Sequence, residues 1–184
     1  MEILIIFFFV PFVLVYMFLN WIHVRFFKPK ISEHLINAEA FMEIRDWEEA
    51  KKSFDSFLRL YPKSARGFLG RSKCNWALQN VHSALYDIEQ SLSYDNTVAE
   101  AYIIKGKIHF KLEDYDLAFL EFDKADWHYR SENPVAMRWR GMTHYANGRI
   151  KEAKRDLTNA AEHGDEDAAF ILRTSFSYIK NMLN

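Results

Sequence analysis

The 184-residue chain has one cysteine, Cys74, so it can form no internal disulfide and no cysteine-based zinc site from a single copy. It also lacks charge of one sign: 24 lysines and arginines face 25 aspartates and glutamates, for a formal charge of -1. A nucleic-acid partner calls for a basic domain or stripe, and none is present. Seven histidines occur, but no two stand three or four residues apart, the spacing that places two metal ligands on one helical face. No glycine loop fit to cradle phosphate and no nucleophile elbow can be found. The sequence therefore predicts no catalytic residue, no cofactor and no metal.

Charge is scarcest at the N-terminus, where residues 1–30 hold only Glu2, Arg25, Lys28 and Lys30. From Ile3 to Ile22, fifteen of twenty residues are Leu, Ile, Val or Phe. Twenty residues in a helix match a hydrocarbon core of roughly 30 Å. Their insertion gain of roughly -6 kcal/mol outweighs the cost of Pro11 and Asn20. A cleaved signal peptide would want an early basic region and small residues at the cut, whereas Asn20-Trp21-Ile22-His23 is bulky. A retained transmembrane helix is expected, with membrane lipid around residues 3–22. Trp21, Phe26 and Phe27 then fall at the aromatic belt beside three cations, which places the C-terminal domain in the cytoplasm, stroma or matrix by the positive-inside rule.

Beyond residue 30 a small residue followed four places later by a large one recurs at a nearly fixed interval: Ala50 and Phe54, Ala84 and Ile88, Ala118 and Phe122, Ala153 and Leu157. The intervals of 34, 34 and 35 residues mark a repeat array, because one compact core imposes no such period. In the third unit, Ala99 to about Leu112 and Tyr115 to about Tyr129 form two amphipathic helices around the polar turn Glu113-Asp114. The units run 31–64, 65–98, 99–133 and 134–166. A unit of two helices cannot bury its own faces, so the units stack and the last face needs a cover. Residues 167–184 supply one, a helix capped by Asp165 with Ala168, Ile171, Leu172, Phe176, Ile179 and Leu183 in one stripe.

These units resemble the tetratricopeptide repeat (TPR), on the strength of Tyr102, Gly106, His109, Ala118, Phe122 and Ala125 in the third unit and Met137, Gly141, His144, Ala153, Leu157 and Ala160 in the fourth. The first unit offers Ala38, Phe41, Trp47, Ala50, Phe54 and Pro62; the second, with Ser72 and Asn75, is weaker. One slot departs throughout: where leucine is expected stand Asn37, Arg71, Lys105 and Arg140. Their stems are expected to cover apolar surface while their polar heads reach solvent. His109 and His144 recur at equivalent slots and read as packing residues.

Together these readings give an all-α fold: an N-terminal transmembrane helix, an α-α superhelix of about four TPR-like hairpins and a C-terminal capping helix. The resemblance also implies a concave groove that takes a peptide or helix from a protein partner. Helical spacing points Lys73, Trp76, Ile103, Lys107, Phe110, Trp139, Met142 and Tyr145 inward. As a binding face, these cations and rings suit an extended acidic-aromatic segment; as internal packing, they need no partner. The lysines and asparagines with which some relatives clamp chaperone C-termini are missing, since Leu35, Glu39, Ile104 and Trp139 occupy clamp positions. Small anchored proteins similar in layout assemble membrane complexes, photosystem I among them, or stay as accessory subunits. Two alternatives remain open: a periplasmic or lumenal chaperone for cytochrome c maturation or secreted-protein folding, and a constitutive structural subunit.

Overall fold

The computed structural model describes residues 13, 15–19 and 33–176. Eight helices form four antiparallel hairpins: α1 (Glu33–Glu43) with α2 (Trp47–Leu60), α3 (Ala65–Ala77) with α4 (Val81–Tyr94), α5 (Ala99–Lys111) with α6 (Tyr115–His128), and α7 (Pro134–Ala146) with α8 (Ile150–Glu162). A short α9 (Glu166–Ile171) follows and ends in a π-helical turn, Leu172–Phe176. Each hairpin packs on the next, and first helices also touch, α1 on α3 and α5 on α7. The described residues are helical throughout their regular elements, with no strand among them.

Local chemistry sets where the helices start. Asp46, Ser64, Asn133 and Asp165 each accept a hydrogen bond from the backbone N–H three residues on, at 3.2, 3.1, 3.0 and 2.8 Å, satisfying a donor that the helix cannot use. Pro134 opens α7, where its missing N–H costs nothing.

The small and large residues of the recurring pair form the core. Ala50, Ala84, Ala118 and Ala153 are fully buried, as are Ile88, Phe122 and Leu157, while Phe54 is 1% exposed. Close approach explains the small partner across the hairpin: a Cβ on Gly106 would stand 2.6 Å from the Phe122 ring. A methyl there would drive the helices apart.

The slot that departs from leucine is resolved differently from the expectation. Arg71, Lys105 and Arg140 do not send their heads to solvent; each turns onto an acid sixteen residues later, on the second helix of its own hairpin. Arg71 donates to Asp87 at 3.0 and 2.6 Å, and Arg140 to Asp156 at 2.6 Å. Lys105 lies 3.6 Å from Glu121. The two arginines also reach back to the preceding hairpin, Arg71 to Asp55 at 2.8 Å and Arg140 to Asp126 at 2.7 Å. Asp87, Glu121 and Asp156 are buried, so a lone carboxylate there would be costly without its cation. The acids hold the pKa of Arg71 above that of an ordinary arginine, the Asp87 hydrogen bond first among the causes. For Arg140 burial pulls down, and Asp156 with Asp126 outweighs it.

At the C-terminal end Ala168, Ile171 and Leu172 pack on Met137, Leu157 and Ala160, covering the last hairpin. The expected stripe continues to Leu183, but residues 177–184 lie outside those described. Among the described residues no helix is long and apolar enough to cross a membrane. The expected anchor, Ile3 to Ile22, falls mostly outside them; of it, residues 13 and 15–19 are described, helical and exposed.

Candidate partner-binding groove

The first helices α1, α3, α5 and α7 lie side by side, and the faces they present together form the candidate groove. At its N-terminal end the charges neutralise one another. Glu39 on α1 accepts from Arg66 on α3 at 3.1 and 2.5 Å, and Lys73 on α3 pairs with Glu100 on α5 at 2.7 Å. With Met42 and Leu69 these four line a cavity of about 200 Å³.

Toward the C-terminal end cations meet rings instead. The Lys107 Nζ lies 5.2 Å from the Trp139 ring centroid, and the Arg138 guanidinium lies 5.8 Å from the same centroid. Phe110 stands edge-on to Trp139 at 5.5 Å, and Trp139 stacks on buried Phe122 at 5.9 Å. Lys111 hydrogen-bonds Gln79 and sits 5.3 Å over Trp76. Arg138 is tied down by Asp165 at 2.9 Å and Asp167 at 3.3 Å. Lys107, by contrast, has no carboxylate within ion-pairing distance among the described residues. Burial first, and then the Arg138 charge, push its pKa below that of an ordinary lysine, with only Glu100 pulling the other way.

Of the residues that spacing points inward, the structure gathers Lys107, Phe110 and Trp139 into one cluster, and Lys111 connects it to Trp76. Lys73 stands apart, engaged with Glu100. Ile103 is 6% exposed and packs with Ala118 and Phe122, leaving it no surface to offer. Met142 packs half-buried on the last core cluster, and Tyr145 is exposed. Arg66, Glu100, Lys111 and Arg138 belong to the groove but escape a search for recurring basic and aromatic slots. Lys111, four residues after Lys107 on one helical face, was the readable signal.

The remaining chemistry-bearing groups are occupied structurally. Cys74 is fully buried and its thiol is pushed up to about 12 by that burial, so it stays protonated. His144 is 6% exposed against Asp156; burial lowers its pKa more than the acid raises it. Among the described residues no group of three or more His, Cys, Asp or Glu could hold a metal ion.

Residues 37–96 match the tetratricopeptide repeat family model. Over 110 residues the chain is 27% identical to the Hsp70-Hsp90 organizing protein of Triticum aestivum, a match covering 59% of this chain and 19% of that protein. The chain thus spans about a fifth of the length of the curated relatives it matches. MamA from Desulfovibrio magneticus RS-1, from residue 41 to its end, shares the fold at TM-score 0.70 and 13% identity, over 80% of this chain and 83% of that one. The first TPR of Spaghetti, bound to the HSP90 peptide SRMEEVD, matches at TM-score 0.60 and 17% identity, over 64% and 94%. These likenesses establish the fold, a tetratricopeptide-repeat superhelix, and the family model supports the same reading from sequence.

Proposed function

We propose that this chain is a non-enzymatic scaffold that holds an acidic segment with apolar or aromatic side chains, supplied by a protein partner, in the C-terminal part of its groove. One observation carries the reading: Lys107 is half-buried against Trp139 and no acid of the described chain neutralises it. A carboxylate from a partner would meet a charge that is already partly desolvated, and the rings around it supply the apolar anchor. The first TPR of Spaghetti, a solved neighbour of this fold, is bound to a peptide, SRMEEVD, that is itself acidic. Here leucine, isoleucine and tryptophan stand at chaperone-clamp positions, so a different acidic sequence is the expected occupant.

The apolar run from Ile3 to Ile22 gives the scaffold a membrane tether, with the repeats on the cytoplasmic, stromal or matrix side. Tethering raises the effective concentration of a partner embedded in the same bilayer without adding any contact. Such a scaffold serves the assembly of a membrane protein complex, or remains as its accessory subunit.

Cross-linked capture with the full chain, read by mass spectrometry, tests the groove. Lys73→Glu with Lys107→Glu is expected to lower partner recovery by about tenfold or more, and undiminished recovery would count against the reading. Topology is checked separately in sealed vesicles of known sidedness. A protease added to the cytoplasmic, stromal or matrix face should cut residues 112–125, and protection there would place the repeats on the opposite side.

A further inference from the structure

The outer face of α6 differs from those of its counterparts in a way the groove does not explain. Leu117, Leu120 and Trp127 are 47%, 50% and 75% exposed. Helical spacing puts them in one stripe. The same three slots carry Glu49, Lys52 and Arg59 in the first hairpin and Glu152, Arg155 and Glu162 in the fourth. In the second hairpin these slots carry Ser83, Tyr86 and Ser93, so α6 differs in placing three large apolar side chains there, and such a stripe on an outer helix marks a contact surface. Its surroundings are acidic: Asp116 and Asp123 flank it, and Glu113 and Asp114 stand at its N-terminal end. Lys124, which shares the face, is drawn aside by Glu121 at 3.1 Å and the Tyr102 ring at 5.8 Å.

We propose that this stripe docks residues 23–30 of a second copy of the chain. That segment, His23-Val24-Arg25-Phe26-Phe27-Lys28-Pro29-Lys30, follows the apolar run read as the tether, lies outside the described residues and has the complementary chemistry. Val24, Phe26 and Phe27 match Leu117, Leu120 and Trp127, and Arg25, Lys28 and Lys30 match the acidic surround; it contains no acid. Two α6 stripes facing each other would set Asp116 and Asp123 against their own copies, which disfavours self-pairing of the stripe. Reach disfavours the segment of the same copy. Two helix spacings along the stack and one out, at about 8–10 Å each, put α6 about 18–22 Å from α1, and the six residues from Phe27 to Glu33 span about 20 Å only when fully extended. The contact joins unlike surfaces, so it propagates from copy to copy and does not close as a two-fold pair. It is independent of what occupies the concave groove.

The test mixes two full-length chains in detergent micelles under mild oxidation, one tagged and carrying Phe27→Cys, the other carrying Leu120→Cys. Cys74 does not compete, being fully buried and protonated. The mixed disulfide is expected at about fivefold or more the yield of a control pair in which Lys52→Cys, the same slot of the first hairpin, replaces Leu120→Cys. Adding Asp116→Lys to the Leu120→Cys chain should cut that yield by about threefold. Equal yields at positions 52 and 120, or a yield indifferent to Asp116→Lys, overturn the proposal. Both variants sit on exposed positions, and unchanged helical circular dichroism separates a lost contact from a lost fold.

Discussion

The two halves of the superhelix share a backbone plan and use it differently. In the first and second hairpins the groove cations are handed to acids on neighbouring first helices, Arg66 to Glu39 and Lys73 to Glu100. In the third, Lys111 lies against Trp76 and Lys107 against Trp139, whereas Arg138 of the fourth, over the same indole, is also held by Asp165 and Asp167. On the outer surface it is α6 that departs, with Leu120 and Trp127 where α2 carries Lys52 and Arg59 and α8 carries Arg155 and Glu162. An ion pair closed within the fold leaves little for a partner to gain. A cation resting on an indole remains available to a carboxylate. The stack thus divides into a self-satisfied N-terminal half and an open C-terminal half, on one shared frame.

That frame is the buried row of cation and acid, and removing a member of it gives the largest expected effect. Arg140→Ala leaves buried Asp156 with exposed Arg155, at 3.3 Å, and Asp126 with the Ser131 hydroxyl, at 2.9 Å, and should destabilise the domain by about 3 kcal/mol. Arg71→Ala should cost about as much, because buried Asp87 is left with only the neutral Asn75 amide, at 2.8 Å, although Asp55 retains Lys51 at 3.6 Å. Lys105→Ala should cost only about 1–2 kcal/mol, since Lys124 already holds Glu121 at 3.1 Å. Urea unfolding of the three variants checks the order. If Lys105→Ala proves the most damaging, these pairs are not what fixes the hairpins.

Single substitutions in the groove sharpen the contrast between the halves, using the capture experiment described for the proposed function. Lys107→Met retains the stem over Trp139 and removes the charge, and should weaken capture by about tenfold, or roughly 1.4 kcal/mol. Lys73→Met frees Glu100 but removes nothing that a partner was using, so the change should stay within about twofold. Equal losses at both positions would erase the distinction and return the groove to a uniform basic surface.

The sequence interval of 34 to 35 residues made the architecture readable, because burial of Ala118 against Phe122 repeats wherever the pair repeats. The cation row was only half readable. Arg71, Lys105 and Arg140 stand out at a slot meant for leucine, but their acids lie sixteen residues on, across the hairpin. At that distance only knowledge of which helix faces which turns Asp87, Glu121 and Asp156 from solvated charges into buried partners. The groove was legible only in part, for a related reason. Helical spacing gives direction but not depth, so Ile103 and Lys107 look alike by periodicity although one is sealed in the core. Paired and unpaired cations are likewise indistinguishable until Glu100 is placed beside Lys73.

The hairpin turns carry the smallest difference between the halves, and it is also testable. Each first helix ends with one residue in the left-handed region: Arg45 at φ 60°, Gln79 at 63°, Glu113 at 64° and Gly148 at 74°. The same two backbone bonds close every turn, as in Arg45 N–H to Met42 at 3.1 Å and Asp46 N–H to Phe41 at 2.9 Å. This is the helix-ending motif that glycine suits, yet only the fourth hairpin has glycine there. A side chain in that conformation costs about 1–2 kcal/mol, partly offset because glycine loses more freedom on folding, by about 0.5–1 kcal/mol. Arg45 is exposed at its turn, so Arg45→Gly should raise stability by about 0.5–1 kcal/mol, and Gly148→Ala should lower it. Both shifts are read from the urea midpoint at constant slope. A fall in stability with Arg45→Gly would mean that the arginine side chain contributes more at that turn than its backbone strain costs.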